Sequence, residues 1–279
     1  MEVLVAPRYA GFCGGVKRAW RLAHEEAERA SSPVYLSGKL IHNDPAMREL
    51  AEMGVGVAES LETTPAGSTI IVRAHGEGPA FYERAEQARL RVVDATCSIV
   101  KAVQRRARAL EERGYQVVLF GHARHPEALA TIAHTERGVI VESAEQARLL
   151  PPCERIAVIA QTTAPQWEYE RVCEALRERC DVLEDQGRIC GWTLSAQEEA
   201  AQIARQVKAM VVIGGRESSN THRLVEVCSR HCPTHHVETA AELDPAWFAG
   251  VERVGVTAGA STRESDVEAV VVWLRALVG

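Results

Sequence analysis

The chain alternates short apolar runs with longer segments in which apolar residues recur every three or four positions. Runs of strand length that end directly before a glycine lie at residues 33–37, 116–120 and 210–213. Segments with helical spacing precede them at residues 16–27, 99–110 and 200–207, and the third helix is expected to begin at a capping box, Ser195 to Glu198. Strands that alternate with helices are typical of parallel sheets covered by helices, with ligand loops at the carboxyl ends of the strands.

This order of features occurs three times, each time after a cysteine. The glycine that closes the first strand follows the cysteine by 25, 24 and 24 residues, in the pairs Cys13 and Gly38, Cys97 and Gly121, and Cys190 and Gly214. Second strands are predicted at residues 69–75, 155–161 and 253–259, and third strands, each leading to a cysteine, at 2–5, 91–94 and 181–184. Chance similarity is the alternative to a true repeat, because any α/β protein punctuates its strands with glycine.

We therefore predict an α/β protein built from three similar α/β units with parallel sheets. The units span residues 1–97, 98–190 and 191–279, and the N-terminal strand is expected to complete the third unit. A pseudo-threefold, trefoil-like arrangement would bring equivalent loops, and with them three thiols, to one central point. Each cysteine is expected directly before a helix, whose N-terminal dipole favours the deprotonated thiolate.

Composition excludes several classes of function. The net charge of −6 argues against nucleic acid as a partner, because binding to phosphate backbones needs a basic surface. No apolar run approaches the roughly 20 residues of a membrane span, and the N-terminus does not resemble a signal peptide, so we expect no membrane association and a cytoplasmic location. The 8 cysteines are then expected to be reduced, so that metal ligation or catalysis competes with plain burial as their explanation.

The three repeated cysteines suit an iron–sulfur centre. Cys13, Cys97 and Cys190 would hold a 4Fe-4S cluster in which one iron has no protein ligand and is open to substrate. Zinc is the main alternative metal, although structural zinc sites usually show four ligands in closely spaced pairs. A second metal site at Cys228 and Cys232 is a further alternative, but these two residues also share one helical face as i and i+4.

Polar side chains follow the strands of all three units. Their hydroxyl, amide and imidazole groups can bind an anion such as a diphosphate through many directional donors, although a turn or cap role is the ordinary alternative for any one of them. The residues are His42, His75, His125, Thr162, Ser218, Ser219, Asn220 and Ser261. Glu127 would supply protons if burial raises its pKa, and the alternative is an exposed carboxylate in the first turn of a helix.

These residues stand in motifs that resemble the 4-hydroxy-3-methylbut-2-enyl diphosphate reductase family over nearly the whole chain. The motifs include Gly-Phe-Cys-Gly-Gly-Val-Lys-Arg-Ala at residues 11–19, Asp-Ala-Thr-Cys at 94–97, His-Pro-Glu at 125–127 and Ser-Ser-Asn at 218–220. Together they are highly specific. The resemblance implies reductive dehydroxylation of 4-hydroxy-3-methylbut-2-enyl diphosphate to isopentenyl and dimethylallyl diphosphate, in the methylerythritol phosphate route to isoprenoids.

The resemblance also implies ligands and roles. A 4Fe-4S cluster would be bound by Cys13, Cys97 and Cys190, with its fourth iron open to the substrate, and Glu127 and Thr162 would position the hydroxyl group and relay protons. The diphosphate would be held by His42, His75, His125, Ser218, Asn220 and Ser261, with Ser219 in the same motif. An external electron donor such as ferredoxin or flavodoxin is expected, since no Gly-x-Gly-x-x-Gly element follows a strand.

The chain departs from the family pattern at three positions. Ala196 stands where an arginine usually follows Thr193, Ala130 stands where a glycine is usual, and Glu77 places an acid close to His75. These departures leave a paralogous iron–sulfur reductase with another substrate as an alternative. Two further classes are a hydro-lyase that uses the open iron only as a Lewis acid, and a sensor or structural module that merely carries the cluster.

Overall fold

The structure is a computed structural model that describes residues 1–277. These residues form two compact bodies. The terminal body comprises Met1–Lys17, Ile41–Glu49 and the chain from Gly191 onward, and the central body comprises Arg18–Leu40 and Leu50–Cys190. The division of the chain into three units at residues 97 and 190 stays a prediction, and residues 278 and 279 of the predicted third unit lie outside the described residues.

The strands and helices follow the chain in regular alternation. The strands are β1 (Glu2–Val5), β2 (Val34–Leu36), β3 (Gly56–Val57), β4 (Thr69–Val72), β5 (Arg91–Asp94), β6 (Gln116–Phe120), β7 (Val139–Val141), β8 (Cys153–Ala160), β9 (Cys180–Asp185), β10 (Ala209–Ile213), β11 (Thr234–Val237) and β12 (Arg253–Ala258). The α-helices are α1 (Gly14–Glu28), α2 (Asp44–Glu52), α3 (Pro79–Gln87), α4 (Ser98–Glu112), α5 (Pro126–Ile132), α6 (Ala144–Arg148), α7 (Gln166–Arg177), α8 (Gly191–Ala204), α9 (Ser219–Ser229) and α10 (Glu264–Ala276). Short 3-10 turns lie at Ala240–Glu242 and Pro245–Phe248.

Three four-stranded parallel sheets share one strand order. The central body contains the sheets β3-β2-β4-β5 and β7-β6-β8-β9, and the terminal body contains β11-β10-β12-β1. In the terminal sheet β1 pairs with β12 in the way that β5 pairs with β4 and β9 with β8. The strand that leads to each cysteine is therefore always an edge strand. These sheets confirm the prediction of an α/β protein made of three similar parallel α/β units.

Continuous apolar runs form the inner strands because both faces of a parallel sheet are covered. Every residue of β4 and of β10 is buried. Helix α4 shows how the cover is built, since its buried residues include Val103, Ala107 and Leu110, which pack with the apolar residues of β6 and β8. The helical spacing read from the sequence thus corresponds to the buried stripe of an amphipathic helix.

Two sequence-based expectations about element bounds are wrong. Helix α8 begins at Gly191, not at the capping box at Ser195, because its first turn already buries Thr193 on the same face as Ala196. The second strands β4 and β12 are shorter than predicted, and β4 ends at Val72, where its ladder with β5 ends at the pair Val72 and Asp94. His75 consequently lies in the loop beyond the strand.

The edge strands β3, β7 and β11 were not predicted from the sequence. Each has a single strand neighbour, so it needs no two-sided apolar pattern. In β11 only the last of four residues, Val237, is buried, and His235 and His236 stand in its middle. Among the described residues, no helix is long and apolar enough to cross a bilayer.

Candidate active site

Each of the three repeated cysteines directly precedes a helix, as predicted. Helices α1, α4 and α8 begin one residue after Cys13, Cys97 and Cys190. The backbone N–H of each cysteine donates to a carbonyl oxygen two residues beyond the neighbouring middle strand. These hydrogen bonds run from Cys13 to Ala260 at 3.0 Å, from Cys97 to Ala74 at 3.0 Å and from Cys190 to Thr162 at 2.9 Å. The cysteine loops therefore repeat as one local structure.

The helix that follows one cysteine also binds the loop that leads to another. In the central body Arg18 of α1 donates to the carbonyl of Thr96 at 3.3 Å, and Arg106 of α4 donates to the carbonyl of Gln186 at 3.5 Å. In the terminal body the carboxylate of Glu199 in α8 accepts the N–H of Tyr9 at 3.2 Å. These ties connect residues 78, 80 and 190 positions apart, and no local sequence pattern indicates them.

The surroundings of these cysteines suit thiolate ligands. All three side chains are half-buried and free of disulfides. The first turns of α1, α4 and α8 contain no acidic residue, so no carboxylate competes with a thiolate for the positive end of the helix dipole. Anionic sulfur ligands of this kind are those that iron–sulfur clusters use.

Glu127 is buried, with a relative exposure of 4%, so the alternative of an exposed helix-start carboxylate is wrong. Its carboxylate accepts two hydrogen bonds from Thr162, one from the backbone N–H at 2.6 Å and one from the hydroxyl group at 2.8 Å. Burial raises the pKa of Glu127, and the two hydrogen bonds from Thr162 oppose that rise in part. The pair is therefore a proton-holding group inside the central body.

His125 lies two residues before Glu127, and its ring contacts that of His75 in the central body. His125 is the N-cap of α5, and its Nδ1 accepts the N–H of Glu127 at 3.1 Å, which leaves Nε2 to carry the proton of the neutral ring. The rings of His75 and His125 meet edge to face, with centroids 5.2 Å apart. His125 thus caps α5 through Nδ1 and keeps its Nε2–H as a donor that can bind an anion.

Glu77, the acid close to His75, is engaged elsewhere. Its Oε1 lies 2.9 Å from Nε of Arg73 and accepts the hydroxyl group of Ser37 at 2.9 Å. Gly76, between His75 and Glu77, has a φ of +78°, and a Cβ at this position would lie 2.5 Å from Nε2 of Gln104. The negative charge of Glu77 is therefore compensated by Arg73, and glycine at position 76 avoids both backbone strain and overlap with Gln104.

The terminal body brings two of its predicted anion-binding loops together. The hydroxyl group of Ser261 donates to the carbonyl oxygen of His42 at 3.2 Å. Asn43 donates through Nδ2 to the carbonyl oxygen of Ser261 at 2.9 Å and accepts the N–H of Ala46 through Oδ1 at 2.8 Å. Asn43 therefore joins the two loops and starts α2, a role that its neighbourhood in the sequence did not reveal.

The Ser-Ser-Asn motif forms the start of α9. Ser218 is its N-cap and accepts the N–H of Thr221 at 3.3 Å, and Ser219 is the first helical residue. Asn220 is 4% exposed, and within residues 1–277 neither Oδ1 nor Nδ2 of its side chain has a hydrogen-bond partner. A buried amide without a partner is costly, so Asn220 indicates a place built for a polar ligand.

The alternative of a second metal site is not supported by the positions of its cysteines. Cys228 is buried in α9, its sulfur lies 4.0 Å from the carbonyl oxygen of Ala200, and burial raises the pKa of its thiol to about 12. Among residues 1–277, Cys228 and Cys232 belong to no group of three metal-ligating side chains whose ligand atoms lie within 4.8 Å of one another. Cys228 is a packing residue.

Comparisons with known proteins cover almost the whole chain. A model of the family described as LytB protein matches residues 3–275. A 4-hydroxy-3-methylbut-2-enyl diphosphate reductase of Pelobacter propionicus is 44% identical over 264 residues, which are 94% of this chain and 93% of the relative. The protein of the same name from Geobacter metallireducens is 44% identical over 278 residues, which are 99% and 97% of the two chains.

Solved structures give the same result. The E-1-hydroxy-2-methyl-but-2-enyl-4-diphosphate reductase of Plasmodium falciparum aligns with a TM-score of 0.93 at 27% identity, over 98% of this chain and 87% of that chain. A structure of (E)-4-hydroxy-3-methyl-but-2-enyl diphosphate reductase, described as the terminal enzyme of the non-mevalonate pathway, aligns with a TM-score of 0.74 at 36% identity, over 99% and 100% of the two chains.

Proposed function

The chain belongs to the LytB protein family, and from this membership we propose that it reduces 4-hydroxy-3-methylbut-2-enyl diphosphate to isopentenyl and dimethylallyl diphosphate. The reaction consumes two electrons and two protons, breaks the bond between carbon and the hydroxyl oxygen, and releases water. The observation that carries the proposal is the buried carboxylate of Glu127, bound twice by Thr162, in the body that also holds Cys97 and Cys190. Such a group can store the proton that the leaving oxygen needs.

We further propose that Cys13, Cys97 and Cys190 bind one 4Fe-4S cluster with one open iron. The repeated hydrogen bond from the cysteine N–H and the helix that follows each cysteine support equivalent roles for the three thiols. When bound, the cluster would supply electrons to the substrate and a Lewis-acidic iron for its hydroxyl group. Iron–sulfur ligation also gives a reason for three half-buried thiols at equivalent positions directly before helices.

The diphosphate is proposed to bind to hydroxyl, amide and imidazole donors. The donors are His42, His75, His125, Ser218, Ser219, Asn220 and Ser261. The unpartnered amide of Asn220 supports this role most directly, because a phosphate oxygen would satisfy its Nδ2. Compensation of Glu77 by Arg73 supports it as well, since an uncompensated acid next to His75 would repel the anion.

Glu127 is proposed to deliver a proton to the substrate hydroxyl group through Thr162. Burial raises the pKa of Glu127 and so favours its protonated form, and the Thr162 hydroxyl group can exchange its hydrogen bond between the carboxylate and the substrate. Loss of the protonated oxygen as water then leaves an allylic anion. Protonation at either end of that anion gives the two products.

Ala196 and Ala130, the other departures from the family pattern, lie in packed positions. Both are buried, Ala196 in the core cluster around α8 and Ala130 in α5. Their small side chains serve helix packing, and neither introduces a charge near the proposed anion-binding groups. These two positions therefore give no structural reason to assign a different substrate.

The electrons are proposed to come from a separate redox protein such as ferredoxin or flavodoxin, in the cytoplasm. The sequence has no Gly-x-Gly-x-x-Gly element after a strand that would bind a dinucleotide. A low-potential one-electron donor would therefore have to act from outside the chain.

The test is anaerobic purification followed by iron and sulfide counting and turnover with a reduced viologen. We expect about four irons per chain, consumption of 4-hydroxy-3-methylbut-2-enyl diphosphate, and both products. Cys13→Ser, Cys97→Ser and Cys190→Ser should each lose iron and turnover, whereas Cys173→Ser, a buried cysteine of α7, should keep both. Absence of turnover by a fully loaded preparation would reject the proposed substrate, and turnover without reductant would indicate a hydro-lyase.

A further inference from the structure

The loop from β10 to α9, residues 214–218, carries the Ser-Ser-Asn motif of the terminal body. It leaves the fully buried strand β10 at Gly214 and ends at Ser218, the N-cap of α9. Gly214 has a φ of +154°, and a Cβ there would lie 2.4 Å from Oγ1 of Thr221. The loop is thus tightly packed at its beginning.

Two histidines from different elements hold this loop by its carbonyl oxygens. Nε2 of His236, on β11, lies 2.7 Å from the carbonyl oxygen of Gly214. Nε2 of His222, in α9, lies 2.6 Å from the carbonyl oxygen of Arg216. Because a carbonyl oxygen can only accept, both rings must carry the proton on Nε2. The two rings also meet edge to face, with centroids 5.7 Å apart.

Other backbone groups of the loop are bound as well. The N–H of Gly214 donates to the carbonyl oxygen of Val237 at 2.9 Å, and the N–H of Arg216 donates to Oε1 of Glu238 at 2.7 Å. The N–H of Ser218 donates to the carbonyl oxygen of Gly215 at 3.0 Å. Glu242 pairs with the guanidinium group of Arg216. Together with the two histidines, these contacts hold the loop from β11, from the turn after β11 and from α9.

The position of the loop determines more than the start of α9. A Cβ on Gly215 would lie 2.2 Å from the carbonyl oxygen of His42, so the loop packs directly against the backbone of that residue. The same carbonyl oxygen accepts the hydroxyl group of Ser261. A shift of the loop would therefore move Ser218 and Asn220 relative to His42 and Ser261.

We propose that His222 and His236 are positioning residues for diphosphate binding, because they hold the β10–α9 loop where Ser218, Asn220 and His42 can bind one anion. The inference rests on the proposed function of these three residues. It does not give either histidine a contact with the substrate. Hydrogen bonds from two separate elements restrict the loop, which would pre-organise the donors before the ligand arrives.

The test compares leucine and glutamine at each histidine in the cluster-loaded protein. Glutamine places its Nε2 where the imidazole Nε2 lies and keeps the donor, whereas leucine keeps volume and removes it. We expect His222→Leu and His236→Leu to raise KM for the hydroxylated diphosphate and the Kd for inorganic diphosphate about five- to tenfold. Their kcat should stay within about twofold of the parent value, because no group at the reacting atoms changes.

His222→Gln and His236→Gln should restore KM and Kd to within about twofold of the parent values. His231→Leu, at an exposed position just after α9, is the matched control and should leave both constants unchanged. If a leucine variant does not retain its cluster, His222→Asn or His236→Asn replaces it, since the shorter amide cannot reach the carbonyl oxygen.

Calorimetry with inorganic diphosphate separates this inference from the proposed function. A parent protein that binds diphosphate but does not reduce the substrate would contradict the proposed reaction, while weaker binding by the leucine variants alone would still support the positioning role. Leucine variants that bind diphosphate as well as the parent protein would overturn the inference. So would glutamine variants as weak as the leucine variants.

Discussion

Thr162 binds both carboxylate oxygens of Glu127, its N–H donating to Oε1 at 2.6 Å and its hydroxyl group to Oε2 at 2.8 Å. Thr162 lies two residues beyond the carboxyl end of β8, and Glu127 lies in the first turn of α5, 35 residues earlier. The carbonyl oxygen of the same Thr162 accepts the N–H of Cys190. One threonine therefore connects a proton-holding carboxylate to the backbone of a proposed cluster ligand.

Glu127→Gln removes the titratable proton and preserves the shape of the side chain. We expect kcat to fall by about a hundredfold or more while the iron content stays at the parent level, because general acid catalysis is lost and the cluster ligands are unchanged. Glu136→Gln, at an exposed position of the same body, is the control and should leave kcat unchanged. A Glu127→Gln variant with parent kcat would contradict the proton-donor role and leave a structural role for the carboxylate.

The raised pKa of Glu127 predicts a pH dependence of stability. The folded protein binds this proton more tightly than the unfolded chain, whose glutamate has an ordinary pKa of 4.5. The resulting stabilisation is fully present below that value and is lost as the pH rises through the folded pKa. Urea unfolding across this range should show the free energy of unfolding of the parent protein falling relative to that of Glu127→Gln. If the free energy of unfolding of the parent protein instead rises with pH relative to that of Glu127→Gln, the assigned direction of the pKa shift is wrong.

Thr162→Val and Thr162→Ser separate the two hydrogen bonds. Valine keeps the backbone N–H and removes the hydroxyl group. Because the hydrogen bond from that hydroxyl group stabilises ionised Glu127, its loss should raise the pKa of Glu127 further. We expect the limb of the pH profile of kcat that reports this group to move to higher pH, and kcat to fall about tenfold or more. Serine retains the hydroxyl group and should behave like the parent protein. An unmoved limb in Thr162→Val would show that Glu127 does not set the profile.

The tie from Arg106 to the loop before Cys190 predicts an effect on cluster retention. Arg106→Ala removes the hydrogen bond to the carbonyl oxygen of Gln186. Since one such bond contributes about 1 kcal/mol, we expect iron loss to a chelator to accelerate about fivefold under anaerobic conditions. Arg105→Ala, at the exposed neighbouring position of the same helix, should lose iron at the parent rate. Equal rates of iron loss in Arg106→Ala and Arg105→Ala would show that the hydrogen bond from Arg106 to Gln186 does not contribute to cluster retention.

Gly76 and Gly54 allow backbone strain to be separated from steric overlap. Both have positive φ, +78° and +85°, but only at Gly76 would a Cβ meet neighbours, with Nε2 of Gln104 at 2.5 Å. Gly54→Ala should cost about 1 kcal/mol of the free energy of unfolding, and Gly76→Ala about 1–3 kcal/mol more. Urea unfolding of both variants measures the difference. Equal losses would mean that Gln104 moves aside freely.

The alternation of strands and helices was readable from the sequence because it depends on local periodicity. Apolar runs such as residues 116–120 and 210–213 became inner strands, and Cys13, Cys97 and Cys190 stand directly before helices as expected. The family motifs were equally readable, and the comparisons confirm the family. The capping-box pattern at Ser195 failed, since burial of Thr193 extends α8 towards its N-terminus.

The chemistry of individual side chains was decided only by the tertiary structure. The sequence could not say whether Glu127 is exposed or buried, because its burial depends on packing against residues that include Thr162. It gave no sign that Asn220 would be buried without a partner, or that His222 and His236 would hold one loop from two elements. Periodicity records which face of an element is apolar, whereas pKa shifts and donor placement arise from contacts between residues far apart in the chain.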